Sequence, residues 1–259
     1  MTMTPVITGL TTGTPLVLVH GLGGARASWT EMLPGLEVAR KVVNLDLPGH
    51  GATPALDGEL TLDSLTDALQ EFLVQNELTG ADLVGSSMGA RMALELARRG
   101  VGRHVVALDP GGFWNDTEKA IFATSLRASF ALVKALRPAL PLLTSQAAGR
   151  TALLSQFTPR PWALPKEVAL RDLQAIADTP ALFETLTALV DSGPQLGAPT
   201  PGRVVLGWGQ NDRVTLTRQA PRAQAAFPQA TLHLFEHCGH FPMWDAPAEA
   251  VRVVLDATA

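Results

Sequence analysis

The sequence has very few of the residues that cross-link a chain or supply phenolic groups. It contains one cysteine, Cys238, and no tyrosine among 259 residues. A single cysteine cannot form an intrachain disulfide, which favours a reducing compartment. The absence of tyrosine excludes every mechanism that needs a phenolic proton donor.

Long hydrophobic runs and tracts of one charge are also absent. No stretch reaches the roughly 18 apolar residues that indicate a membrane span. The first residues, MTMTPVITGL, lack the basic start and apolar stretch of a signal peptide. The net charge is −4 and both signs are mixed along the chain, so nothing indicates nucleic-acid binding. We predict a cytoplasmic protein that binds a small molecule and neither nucleic acid nor membranes.

Apolar residues are plentiful, at 46% of the chain, and their pattern alternates between two kinds of element. Strands are predicted at 16–19, 42–45, 82–85, 104–108, 203–207 and 231–235. Helices are predicted at 61–77, 88–99, 217–226 and 247–257. Thr61 is placed to cap the first of these helices. Strand–helix alternation with continuously apolar strands predicts an α/β fold with a mostly parallel, doubly wound sheet.

The alternation stops between about residues 113 and 195. This region has helical patterns broken by proline and almost no strand pattern. An insertion of this length between two strands predicts a helical cap rather than a loop. The predicted domains are therefore a core, 1–112 and 196–259, and a cap, 113–195.

One short stretch, DLVGSSMGARM at 82–92, suggests a nucleophile. Its Gly-x-Ser-x-Gly pattern is centred on Ser87, whereas around Ser86 the glycine positions would hold Val84 and Met88. A strand that turns sharply into a helix needs small neighbours, and the turn exposes a hydroxyl at the helix N-terminus. The pattern alone fits equally well a strand–helix turn without chemistry.

Further motifs give that pattern its context, and together they resemble the α/β-hydrolase superfamily, specifically its cap-bearing serine hydrolases. The motifs occur in the family's order: HGLGG (20–24), DLPGHG (46–51), GSSMGA (85–90), WGQNDRV (208–214) and CGHFPMWDAP (238–247). The resemblance covers roughly 16–112 and 203–257 and leaves out the cap. It implies an α/β-hydrolase fold, one leading antiparallel strand around 5–10, and no cofactor.

The resemblance also implies a catalytic triad in the order nucleophile, acid, base. Ser87, Asp212 and His240 follow that order. The proline that often follows the acid is missing after Asp212, where Thr215 and Leu216 stand. Asp109, at the end of the strand 104–108, is the rival acid. Among six histidines, His237 is the nearest rival base and is interpreted as a solvent-facing loop residue.

An oxyanion hole requires two backbone N–H groups near the nucleophile. We expect one from Met88, directly after Ser87, and the other from Leu22 in the HGLGG loop. That loop lacks the spacing of a phosphate-binding motif. No cluster of His, Cys, Asp and Glu has metal-ligand spacing, so no metal is predicted, and Cys238 is interpreted as a buried thiol.

Three residues are candidates for substrate binding. Arg91 lies one turn beyond Ser87, where the related lyases of the menaquinone pathway bind a substrate carboxylate. The alternative is a polar helix face on which Arg91 pairs with Glu95, four residues on. Phe241 and Trp244 follow the predicted base and are expected to line the pocket.

These observations predict a serine hydrolase that cleaves small to medium carboxylic esters through an acyl-enzyme beneath a helical cap. A C–C bond hydrolase, a lactonase, a cofactor-free perhydrolase and a lyase of the kind named above use the same machinery and stay open as alternatives. A ligand receptor on the same fold is the alternative without catalysis. Relatives often dimerise through the cap or outer helices, so a homodimer also stays open.

Overall fold

One mixed sheet organises the chain. The computed structural model describes residues 3–198, 200 and 202–259, and in these ranges the sheet has seven strands in the order β1-β3-β2-β4-β5-β6-β7. The strands are β1 Val6–Gly9, β2 Leu16–Val19, β3 Lys41–Asn44, β4 Asp82–Ser86, β5 Val105–Leu108, β6 Val204–Gly209 and β7 Thr231–Phe235. Only β1 is antiparallel to its neighbour within this sheet; the other pairs are parallel.

The central strands are buried along their whole length. Every residue of β2, β4 and β5 is buried, because helices cover both faces of a parallel sheet. The predicted strands are confirmed to within two residues at each end, and the expected leading strand is β1. The sequence pattern thus correctly predicted a mostly parallel sheet covered by helices.

Eleven α-helices occur in the described residues. They are α1 Leu33–Glu37, α2 Leu62–Gln75, α3 Met88–Arg98, α4 Asp116–Ala135, α5 Leu140–Ser145, α6 Ala147–Leu154, α7 Lys166–Asp178, α8 Leu182–Asp191, α9 Ala220–Ala226, α10 Pro242–Asp245 and α11 Pro247–Ala257. Thr61 caps α2 as predicted, since its hydroxyl accepts a hydrogen bond from Ser64 N at 2.9 Å. None of the helices in the described ranges combines the length and apolar character needed to cross a membrane.

One predicted helix is divided in the structure. The region 217–226 begins as a 3₁₀ turn, Thr217–Gln219, and continues as α9. Pro221 lies in the first turn of α9, where its missing N–H leaves no helical acceptor unsatisfied. The proline therefore starts a second helix within the segment predicted to be one.

A helical segment, residues 113–195, is inserted between β5 and β6. It contains α4 to α8, and its ends meet where Gln195 N donates to Gly112 O at 2.9 Å. Its buried side chains belong to the same apolar cluster as one face of the sheet, among them Phe122, Leu126 and Phe130. The inserted segment therefore packs on the sheet as part of a continuous core.

Candidate active site

Ser87 occupies a strained turn between β4 and α3. Its φ of 54° and ψ of −112° lie in a region that non-glycine residues rarely adopt. The flanking glycines make room for this turn. A Cβ on Gly85 would lie 2.3 Å from Gly89 O, and one on Gly89 would lie 2.2 Å from Val19 O. The two glycines of the motif are thus required by backbone packing.

The structure brings Ser87, Asp212 and His240 together in one hydrogen-bonded chain. His240 Nε2 lies 2.9 Å from Ser87 Oγ, and His240 Nδ1 lies 2.8 Å from Asp212 Oδ2. All three side chains are buried. An ionised carboxylate only accepts, so Nδ1 carries the imidazole proton and Nε2 is free to accept the Ser87 hydroxyl proton. The three residues follow the carboxyl ends of β4, β6 and β7, which share one edge of the sheet.

Asp212 is held by a turn that the sequence reasoning did not identify. Its Oδ1 accepts from Val214 N at 2.7 Å and from Thr215 N at 3.2 Å. Its Oδ2 accepts from the Thr215 hydroxyl at 2.7 Å. These donors fix the position of the carboxylate beside His240. The signal was an aspartate followed three residues later by threonine, a common local turn motif.

The loop that carries His240 is tied to the inserted segment. His240 N donates to Phe157 O at 2.7 Å. Asp245, at the end of α10, accepts from Gly239 N at 2.8 Å and from the Thr158 hydroxyl at 2.7 Å. Asp245 was not predicted, because its role depends on a contact with a residue 87 positions earlier.

The two predicted oxyanion donors lie in the loop after β2 and at the start of α3. Gly21 O accepts from His20 Nδ1 at 2.8 Å and from Gly24 N at 3.0 Å, so the trans peptide directs Leu22 N–H the opposite way. Met88 is the first residue of α3, where the helix offers its N–H no internal acceptor. Leu22, Ser87 and His240 line the same cavity. The roles of Leu22 and Met88 as oxyanion donors stay a prediction.

His20 fixes the plane of the peptide between Gly21 and Leu22, and its imidazole ring is neutral. Its Nε2 accepts from Leu47 N at 3.0 Å, so the proton donated to Gly21 O resides on Nδ1. Burial lowers the pKa of His20 to about 3, with the nearby His50 lowering it further. The ring therefore stays uncharged near neutral pH and keeps both hydrogen bonds.

The cavity at Ser87 is narrow and mostly apolar. It is lined by side chains of the sheet edge and of the inserted segment: Phe122, Leu126, Phe130, Phe157, Ile176, Leu189, Val214 and Phe241. Phe241 also packs edge-on against the His240 ring, with centroids 4.8 Å apart. Trp244 lies in an adjoining cavity beyond Phe241, and its indole N–H donates to Asp172 at 2.8 Å.

Arg91 is placed differently from both interpretations of the sequence. The side chain is buried, and its guanidinium donates to Gly193 O at 2.8 Å and to Ser192 O at 3.3 Å, past the end of α8. Burial lowers its pKa to about 10. The expected pair with Glu95 is not formed; Glu95 instead pairs with Arg98 and Arg99. Arg91 therefore joins α3 to the inserted segment and is not among the residues lining the Ser87 cavity.

Asp109, the rival acid, lies behind Asp212 and does not bond to His240. Burial raises the pKa of Asp109 well above its usual range, and the charge of Asp212 raises it further. Asp109, Asp212 and His240 form a group of the kind that can hold a metal. However, both nitrogens of His240 are already engaged with Ser87 and Asp212, so this donor set does not fit a metal ion.

The two other side chains near His240 play no part in this chain of hydrogen bonds. His237 is exposed, as expected for a loop residue. Cys238 is buried, and burial raises the pKa of its thiol to about 12. It is therefore a thiol near neutral pH and not a reactive thiolate.

Comparisons with known proteins agree with the fold. A model described as the Alpha/beta hydrolase family matches residues 16–253. A pimeloyl-[acyl-carrier protein] methyl ester esterase of Nitrosomonas europaea is 26% identical over 92% of this chain and 93% of its own. An esterase structure from Thermogutta terrifontis superposes with a TM-score of 0.76 at 20% identity, covering 98% of this chain and 92% of that one. A meta-cleavage product hydrolase from Pseudomonas fluorescens also gives 0.76, at 19% identity over 98% and 93%.

Proposed function

The chain belongs to the alpha/beta hydrolase family, and from this premise we propose that it is a serine hydrolase of small to medium carboxylic esters. The observation that carries the proposal is the buried chain from Ser87 through His240 to Asp212, with bonds of 2.9 Å and 2.8 Å. The name of the Nitrosomonas europaea relative, a methyl ester esterase, supports the same reaction class.

The proposed reaction begins with attack of Ser87 Oγ on the ester carbonyl while His240 Nε2 takes the hydroxyl proton. Asp212 stabilises the imidazolium that forms. The tetrahedral oxyanion receives the N–H groups of Leu22 and Met88. His240 then gives its proton to the departing alkoxide, leaving an acyl-enzyme. A water molecule repeats these steps and releases the acid.

The inserted segment, residues 113–195, serves in this proposal as the cap over the substrate. It contributes Phe122, Leu126 and Phe130 to the cavity beside Ser87. A narrow apolar wall suits an acyl chain of modest length and offers no partner to a charged one. The Arg91 guanidinium is engaged by carbonyl groups at the end of α8, so we assign it a structural role in place of carboxylate binding.

Hydrolysis of p-nitrophenyl esters from acetate to octanoate tests the proposal. We expect turnover by the wild type with an optimum at short or medium chains, and a loss of about a thousandfold or more in Ser87→Ala. Ser86→Ala is the matched control, because Ser86 lacks the bond to His240, and it should retain most of the rate. A folded wild type that turns over none of these esters would contradict esterase function. Labelling of Ser87 by a fluorophosphonate would then separate an unsuited substrate, such as a lactone or a C–C bond, from an inactive site.

A further inference from the structure

Asp109 is a buried acid for which the reaction above has no role. It follows β5 directly, with a φ of 49°, a left-handed conformation that is unusual outside glycine. Its side chain is fully buried. Oδ1 accepts a hydrogen bond from Gly209 N at 2.8 Å. Oδ2 is buried, and no N–H or O–H group in the described part of the chain donates a hydrogen bond to it. A buried carboxyl oxygen without a partner requires an explanation.

The Asp109 side chain has a second carboxyl group as its neighbour. Asp109, Asp212 and His240 each place an oxygen or nitrogen within 4.8 Å of the others. Over the described ranges, His240 is the one basic side chain that pairs with either acid. Two buried carboxylates at this separation cannot both be ionised without large repulsion, so one of them keeps its proton.

The hydrogen-bond partners decide which acid is charged. Asp212 accepts two backbone N–H groups, the Thr215 hydroxyl and His240 Nδ1. Asp109 accepts one backbone N–H. Donors stabilise a carboxylate, so the charge resides on Asp212 and the proton on Asp109.

We propose that Asp109 is a neutral carboxylic acid that donates its proton in a hydrogen bond to Asp212, and so acts as a positioning residue for the acid–base pair. The donated hydrogen bond spreads the negative charge of Asp212 and reduces its affinity for a further proton. The proton taken from Ser87 then stays on His240, from which it is delivered to the leaving group. The catalytic effect rests on the proposed function, but the protonation of Asp109 does not.

The proposal predicts a loss of activity as the pH rises. When Asp109 loses its proton, Asp212 loses a donor and gains a like charge beside it. The raised pKa of Asp109 moves this loss far above the usual range of an aspartate. The groups that face Asp109 are Asp212, His240 and, on α10, Asp245, with the Cys238 thiol also nearby.

Infrared difference spectroscopy at neutral pH tests the proton directly, without substrate. We expect the wild type to show the carbonyl band of a protonated carboxyl group, and Asp109→Asn to lack it. Asn suits the position because it tolerates the left-handed conformation, and its amide can both accept from Gly209 N and donate to Asp212. Asp245→Asn, which changes a neighbouring half-buried acid, is the control and should retain the Asp109 band. The same spectrum in the wild type and Asp109→Asn would overturn the proposal.

The positioning role is tested by the rate at which a fluorophosphonate labels Ser87 across a range of pH, which does not depend on the natural substrate. Asp109→Ala should react about tenfold more slowly than the wild type near neutral pH. Asp109→Asn should recover most of that loss and lack the decline at alkaline pH. Thermal melts establish that each variant is folded. A folded Asp109→Asn as slow as Asp109→Ala would mean that an ionised carboxylate is needed, and would overturn the role.

Discussion

The sheet edge and the inserted segment contribute to the candidate site in different ways. At the sheet edge, Ser87, Asp212 and His240 are each fixed by backbone hydrogen bonds or by a strained turn. The inserted segment supplies mainly apolar side chains, and its one backbone bond to this chain of residues is Phe157 O to His240 N. In the proposed function, the chemistry therefore depends on backbone placement, whereas the selectivity depends on side-chain size.

The largest effect is expected from adding one methyl group next to the nucleophile turn. Gly89→Ala would place its Cβ 2.2 Å from Val19 O and 2.4 Å from His20 O. Since backbone atoms cannot move aside cheaply, we expect a loss of about 3 kcal/mol or more in the free energy of unfolding. Urea denaturation measures it.

Gly100→Ala is the matched control for that variant. Gly100 has a positive φ, 74°, which Gly89 lacks, and a Cβ on Gly100 meets nothing within 4 Å. The control carries the backbone strain without the clash, at about 1 kcal/mol. A loss in Gly89→Ala no larger than that in Gly100→Ala would contradict the prediction that the close contact beneath Ser87 governs this turn.

A smaller effect is expected from removing one hydroxyl at the sheet edge. Thr215→Val keeps the shape of the side chain and deletes the donor 2.7 Å from Asp212 Oδ2. Hydrogen bonds to charged groups are strong, so we expect kcat/KM to fall about tenfold. Thr185→Val, a fully buried threonine of α8, should leave kcat/KM within about twofold. A loss as large in Thr185→Val would mean that destabilisation of the protein, and not the lost hydrogen bond to Asp212, lowers the rate.

The smallest effect on catalysis is expected in the inserted segment. Leu126→Ala widens the apolar cavity beside Ser87, so the preferred acyl chain should lengthen while turnover of the acetate ester changes little. The ratio of kcat/KM for octanoate to that for acetate should rise roughly fivefold. Leu132→Ala, on the exposed face of the same helix α4, should leave that ratio as it is. A collapse of all turnover in Leu126→Ala would abolish the distinction between the two regions.

The same division governs what the sequence could predict. Strands buried on both faces leave continuous apolar runs, so the mostly parallel sheet could be predicted. The strained turn at Ser87 leaves two glycines in the sequence, which made Ser87 a candidate. Thr215 belongs to a local turn whose signal, an aspartate followed three residues later by threonine, was missed. Asp245 acts through a contact distant in sequence, for which a single chain carries no pattern. Arg91 shows the limit most clearly. Its spacing to Glu95 indicated a surface pair, but the carbonyl groups that bind it lie about 100 residues away.

The inserted segment leaves and rejoins the sheet at one hydrogen bond, between Gln195 N and Gly112 O. A block whose two ends meet can be exchanged, lengthened or shortened without moving the strands on either side. In evolutionary terms, this junction allows the whole inserted segment to be replaced in one step. The cavity then gains new lining residues while the reacting groups keep their positions. A chimera joined at Gly112 and Gln195 would accordingly inherit its reaction from one parent and its choice of substrate from the other.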